Sequence, residues 1–347
     1  MYVTTSSRPS TTPVSHYVHV VRLVVFQAEH ILEDLNACFK VNPVLSYIAD
    51  RFVWVPLELH AFSSTSSGYN FSDTHILRQA RVPHPHPRES PAMPGTIHRH
   101  PHPNGVLVLE LDHPPMNAMN GEMLRHMSET FVSLERDLAV RAIVLTGRGR
   151  AFCSGADLKE AARDASAVGD EDLSKFGHML EVVATSRAPV IAAINGHCIG
   201  GGFELALCCD IRIASTHAKF VCAGVNVGLM ASTYRLPRLI GVSRAKAMLL
   251  TGLPHDAATA EAWGLVTALH APVALQDAAL TLAHRIASRA PLSVEASKRI
   301  ADRAVDMSPR EAAEMLAREM PVLRESADHR EALAAFAEKR EPIFKRS

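Results

Sequence analysis

The run Ile199-Gly200-Gly201-Gly202-Phe203-Glu204 places three glycines and a carboxylate between two apolar segments, Pro189 to Ile194 (ended by Asn195-Gly196) and Leu205 to Cys209. This order predicts a buried strand, a glycine turn and a buried helix. Glycines let a ligand oxygen come close to the backbone, and the free N–H groups of a helix's first turn stabilise negative charge there. The chemistry on offer is an oxyanion hole with a carboxylate beside it. A second loop of the same kind is Cys153-Ser154-Gly155-Ala156-Asp157-Leu158-Lys159, after the strand that contains Ile143. Small residues at 154 to 156 allow close backbone approach, and Asp157 reads first as the cap of a following helix. Two such loops at the ends of neighbouring strands can give one N–H each to a single oxyanion.

These loops need a rigid frame, and the chain supplies one from Asn104 onward. Val106 to Leu111, Ala142 to Gly147 and Val190 to Ile194 read as strands, while Gly121 to about Asp137 and Phe176 to Ser186 read as helices. Alternation of strands and helices predicts an α/β core with parallel pairing, in which the connecting loops carry the chemistry. After Ile211 to Ala214 the pattern turns helical: 243–251, 259–263, 275–290, 291–307, 309–325 and 328–339. The division expected is an N-terminal extension over residues 1–103, a core over 104–285 and a helical C-terminal region over 286–347.

The 347 residues are 47% hydrophobic and 21% charged with a net charge of +0, a globular composition without general attraction to nucleic acid or anionic membrane. No apolar run approaches bilayer length. Six cysteines lack CxxC spacing, and several stand in apolar runs, which predicts buried thiols in a reducing, cytoplasmic compartment and no metal. The first 28 residues contain Arg8 and Arg22 but no acid, so a mitochondrial transit segment and a later start at Met93 both remain open. The Pro- and His-rich stretches, Pro83 to Pro87 and His98 to Pro103, read as a linker, because alternating prolines deny the histidines the fixed geometry of a metal site.

Together, Met116-Asn117-Ala118-Met119-Asn120, Phe152 to Lys159, Ala193 to Gly196 with Gly200 to Ala206, Cys209 to Ala214, and Arg330 to Arg340 resemble, in order, the enoyl-CoA hydratase/isomerase (crotonase) family. The resemblance implies a spiral of ββα units, a helical C-terminal oligomerisation region, homotrimers or dimers of trimers, and acyl-CoA thioester substrates that carry their own CoA, with no separate cofactor. It further implies that the N–H groups of Ala156 and Gly201 hold the thioester oxygen and that Glu204 is a catalytic acid/base. Met116, Asn117, Ala118, Ser154, Ala156, Asp157, Leu158, Lys159 and Gly201 are then the CoA-binding wall. Phe336 and Lys339 are expected to reach CoA, often that of a neighbouring subunit. An exposed lysine following a capping aspartate is the other reading of Lys159.

One departure stands out. Hydratases of the family carry a second glutamate twenty residues after the first, and Gly224 occupies that position in Phe220 to Gly228. Loss of one acid/base group costs about 10² to 10⁴ in rate where nothing substitutes. The following loop, Leu229 to Arg235, also lacks the family's glycine-rich spacing; Asn226 and Tyr234 are its candidates to hold a water, with a turn asparagine and a packing tyrosine as the alternatives. Hydration of a 2-enoyl-CoA in fatty-acid metabolism is the leading expectation. Isomerisation or another enolate reaction on Glu204 alone follows, then acyl-CoA binding with little turnover.

Overall fold

The computed structural model describes residues 95–163 and 170–347, all within one compact unit, Pro85–Ser347. The expectations placed on residues 1–94, including the transit segment, the Met93 start and the Pro83 to Pro87 run, lie outside the described residues. The chain runs through β1 (Thr96–His102), β2 (Val106–Asp112), α1 (Gly121–Arg136), β3 (Ala142–Gly147), β4 (Ala151–Cys153), α2 (Leu158–Arg163) and α3 (Asp170–Ala184). It continues through β5 (Val190–Ile194), β6 (His197–Ile199), α4 (Gly201–Cys208), β7 (Ile211–Ser215) and β8 (Lys219–Val221). Then follow α5 (Arg235–Ile240), α6 (Val242–Thr251), β9 (His255–Asp256), α7 (Ala257–Ala262), β10 (Ala268–His270), α8 (Leu275–Ala287), α9 (Pro291–Ala304), α10 (Pro309–Glu325) and α11 (Ala327–Glu338).

The strands form two sheets, ordered β1-β2-β3-β5-β7-β10 and β4-β6-β8-β9. Consecutive strands alternate between them: β3, β5 and β7 enter the large sheet, and β4, β6 and β8 enter the small one. Each turn of the chain therefore lays one strand in each sheet, which is the spiral of ββα units expected. All neighbours from β2 to β10 in the large sheet pair in parallel, as do β4, β6 and β8 in the small sheet. The three-residue strands of the small sheet escape sequence reading because three residues are too few to display a period.

The large sheet is buried on both faces, which explains its nearly continuous apolar strands. Leu107, Leu109, Leu111, Ile143, Leu145, Val190, Ala192 and Ile194 point to one side, where α1 and α3 contribute Met123, Met127, Phe131, Met179 and Val183. The alternate residues Val106, Val108, Ala142, Val144, Ile191, Ala193 and Ile213 meet Leu275, Ala279, Ala283 and Ala287 of α8. Alanine at every fourth position along α8 lets that helix lie close to the sheet. Asn120 caps α1 by accepting from the Met123 N–H at 2.9 Å.

The linker expectation fails over its last segment. Thr96 to His102 form β1, paired antiparallel with β2 so that His98 faces Glu110 and Pro101 faces Leu107. An edge strand tolerates proline because only one of its sides needs ladder donors, and the histidines gain partners: His98 Nε2 lies 2.8 Å from Asp112. That hydrogen bond, assisted by Arg148, holds the Asp112 carboxyl below its ordinary range. The folded core thus includes residues on the N-terminal side of Asn104.

Core packing predicts the response to truncation. Leu145→Ala, at a fully buried site, should lower unfolding free energy by about 2 to 5 kcal/mol, whereas Leu253→Ala at an exposed site should change it by no more than about 0.5 kcal/mol. Urea denaturation monitored by circular dichroism measures both.

Candidate active site

The two glycine loops hang from the small sheet, from the ends of neighbouring β4 and β6, and not from the long strands. Met119 forms an isolated parallel bridge with Ala156, its N–H donating to Gly155 O at 2.7 Å and its carbonyl accepting from Asp157 N at 3.0 Å. Because the groups on either side of Ala156 face Met119, Ala156 directs its own N–H the opposite way. Gly201 is the first residue of α4, where an N–H has no intrahelical acceptor. Neither N–H has a protein partner among the described residues.

Glycine is required for the two donors to approach. Gly155 has φ +87° and Gly200 φ +53°, and a Cβ on Gly155 would fall 2.5 Å from Gly201 N. A Cβ on Gly202 would lie 2.2 Å from the Cys153 carbonyl oxygen, so the start of α4 rests directly on β4. A Cβ on Gly201 would strike the ring of Phe176, 2.4 Å from Cζ. Phe176, on α3, therefore walls the paired donors from the side. No periodicity in the sequence assigns it there.

Glu204 follows in the first turn of α4 and is 9% exposed. Burial raises its pKa above the ordinary carboxylate value, a shift opposed by a hydrogen bond from Ser232 and by the charge of Arg235. The Ser232 backbone N–H donates to Glu204 Oε1. Arg235 extends between Glu204 and Glu181 of α3, 4.0 Å from the latter's carboxylate, with its guanidinium 4.9 Å from the centre of the Tyr234 ring. Cys222 is buried near the same carboxylate, and burial pushes its thiol up to about 12, so it is neutral at physiological pH. Ser232 and Arg235 carry no motif that singles them out in the sequence, because what makes them functional is the path of the loop.

That loop also accounts for Gly224. A Cβ there would lie 3.0 Å from both Ala231 N and Leu229 O and 3.2 Å from the Met230 carbonyl carbon. The 229–231 backbone packs directly onto Gly224, the residue that the family resemblance aligns with a second glutamate. Of the two candidate water-holding residues, Asn226 follows its turn reading, whereas Tyr234 is not packed into the core. Asn226 donates to Gly252 O at 3.0 Å and ties its turn to the end of α6, while Tyr234 is half-exposed and stacks with Arg235 and Arg238.

The remaining site residues divide. Met116 and Ala118 are half-buried and run beside the donor loop, with Ser154 N donating to Met116 O at 3.0 Å. Asn117 does not offer its side chain to a ligand. It is 1% exposed, its Oδ1 accepts from His113 N at 3.0 Å, and its Nδ2 donates to Ala151 O at 2.8 Å and Arg148 O at 3.0 Å. It is the internal tie that holds the 113–118 segment against β4. Asp157 realises its capping reading, accepting from Lys159 N at 2.9 Å. Leu158 and Lys159 are exposed on the first turn of α2. Phe336 is 86% exposed on α11 and Lys339 ends that helix with φ +55°. No hydrogen bond, ion pair or ring contact among the described residues joins either to the donor loops.

The structure thus places two backbone N–H groups without protein partners and a buried carboxylate on neighbouring loops of a spiral of ββα units, an arrangement chemically able to hold an oxyanion. The family model described as enoyl-CoA hydratase/isomerase matches residues 101–347, and the chain belongs to that family. Over 248 residues it is 39% identical to the (E)-benzylidenesuccinyl-CoA hydratase of Thauera aromatica, covering 70% of this chain and 96% of the relative. It is 36% identical to the carnitinyl-CoA dehydratase of Proteus mirabilis, covering 69% and 95%. Among solved structures it is similar to an enoyl-CoA hydratase from Bacillus anthracis, with a TM-score of 0.69 and 32% identity over 72% of this chain and 99% of that one.

Two glycine substitutions test the packing that builds the site. Gly202→Ala should cost about 1 to 3 kcal/mol of stability through overpacking against the Cys153 carbonyl. Gly224→Glu should displace the 229–231 loop and lower the thermal midpoint without restoring a working acid/base pair. Differential scanning calorimetry of both variants decides the matter; a midpoint at or above that of the wild type in Gly202→Ala contradicts the close approach.

Proposed function

We propose that the protein catalyses reversible hydration of a 2-enoyl-CoA, with the Ala156 and Gly201 N–H groups on the thioester oxygen and Glu204 as the acid/base. The observation that carries this reading is a buried carboxylate held beside two unpartnered backbone donors. Relatives named as hydratases and dehydratases of CoA thioesters support the reaction type. In the forward direction the water oxygen bonds to Cβ and its proton passes to Glu204, while the Cα=Cβ pair shifts to give an enolate whose oxygen the two N–H groups stabilise. Glu204 then returns a proton to Cα and the carbonyl re-forms, so one water is added and the protein is unchanged. Such donors lower the barrier by about 3 to 4 kcal/mol each. CoA arrives and leaves with the substrate, and straight-chain substrates of fatty-acid metabolism are the first to test.

Gly224 sustains a second reading. Proton transfer between Cα and Cγ of a 3-enoyl-CoA needs one carboxylate in principle, and Glu204 is the one retained. A panel of acyl-CoA substrates followed by mass spectrometry separates the two, because hydration adds the mass of water and isomerisation adds none.

Wild-type protein should consume a 2-enoyl-CoA, and Glu204→Gln should reduce turnover by at least about 100-fold while ligand binding persists. Unchanged turnover in that variant rules the mechanism out. Activity should also fall as pH drops through the Glu204 pKa, which burial places above the ordinary carboxylate value, since only the ionised form accepts the proton from water. A pH profile of kcat/KM measures this.

We further propose a trimer or dimer of trimers in which Phe336 and Lys339 reach CoA in a neighbouring subunit. α10 has no buried residue and exposes Leu316, Met320 and Val322, an apolar surface suited to a second copy of the chain. Light scattering should give three or six times the chain mass; a monomer at working concentration overturns this assembly.

A further inference from the structure

The loop that covers Gly224 delivers Ser232 to Glu204, and Ser232 has three unusual properties together. Its φ is +60°, a left-handed conformation that costs a non-glycine residue about 1 kcal/mol or more. Its backbone N–H is committed to Glu204 Oε1. Its hydroxyl is buried on the side of Glu204 and Cys222, in a residue only 2% exposed, and Oγ makes no well-aligned hydrogen bond. A buried hydroxyl without a satisfied partner is costly, as is a side chain at this φ, so glycine would serve the turn better.

We propose that Ser232 is a positioning residue that lets a single carboxylate carry both proton transfers. The backbone N–H fixes Oε1, and the hydroxyl donates to the ionised carboxylate, leaving Oε2 to exchange protons with the water at Cβ and with Cα. The inference rests on Glu204 being the acid/base of the proposed reaction. The groups facing Glu204 from the surrounding elements are Arg235 of α5, Tyr234 at the start of that helix, Cys222 after β8, Cys208 on α4 itself, and Glu181 of α3 through Arg235. Cys222 and Cys208 are raised to about 12 and stay neutral, and Tyr234 is also raised, so near neutral pH the charged neighbours of Glu204 are Arg235 and Glu181. The Ser232 hydroxyl is an uncharged donor, and its Oγ is buried.

Ser232→Gly tests the role of the hydroxyl separately from the fold, because glycine keeps the N–H and relieves the positive φ. Two rates are followed against pH in wild type, Ser232→Gly and Ser232→Ala: hydration of a 2-enoyl-CoA, and exchange of the Cα proton of the matching saturated acyl-CoA in deuterated water. Loss of a donor to the ionised carboxylate should move the acid limb of both profiles upward by about one pH unit. It should also lower the rate below that limb about 10-fold, with KM and thermal midpoint held in Ser232→Gly. An unmoved acid limb overturns the inference, whether the rate is kept or falls uniformly, since a structural defect scales the rate without shifting the limb. If wild type exchanges the Cα proton but hydrates no 2-enoyl-CoA, the hydratase reading fails and the exchange profiles still decide the role of Ser232.

Discussion

The constraint on which this molecule depends is the contact between Gly155 and Gly201. The small sheet brings the end of β4 and the start of α4 so close that no side chain fits between them. That approach brings the Ala156 loop against the first residue of α4, and the packing nearby follows from it. Gly202 must be small for α4 to rest on Cys153, Asn117 must tie the flanking segment to β4, and Met119 must turn the Ala156 N–H outward by occupying its neighbours. The two-sheet spiral is the frame that makes this contact repeatable, because β4 and β6 are adjacent rungs of one short ladder.

Glu204 is placed by the same helix start that provides one of the donors. Burial raises its pKa above that of a solvated carboxylate, and the Ser232 side chain and the Arg235 charge oppose that shift. The absence of a carboxylate at 224 is built into the chain on this account, since the 229–231 backbone packs onto that position. The loop that packs onto Gly224 also supplies the Ser232 N–H to Glu204.

Much of this was legible in the sequence. The strands at 106, 142 and 190 and the helix at 121 appear at their expected places because period and apolar content are strong over five residues or more. A glycine cluster at a strand end is ordinary turn chemistry by itself; it was the ordered set of motifs that pointed to the family, and the family membership of the chain bears that set out. What stayed hidden depended on tertiary geometry. β4, β6 and β8 are too short to announce themselves, and β1 was disguised as a linker by prolines that an edge strand accommodates. Phe176 and Ser232 matter through what a neighbouring element brings to them, and Asn117 carries a buried amide whose Nδ2 acceptors lie more than thirty residues away in the chain. The residue types alone could not show that its side chain faces inward.

The central claim is that two backbone N–H groups polarise a thioester carbonyl beside a single carboxylate. Isotope-edited infrared spectroscopy of a 2-enoyl-CoA labelled at the thioester carbonyl, bound to the Glu204→Gln variant so that no turnover intervenes, tests it most directly. The account predicts a carbonyl stretch at clearly lower frequency than in the free ligand, as strong hydrogen bonding to that oxygen requires. A bound carbonyl that absorbs where the free one does would contradict the oxyanion hole and the mechanism built on it.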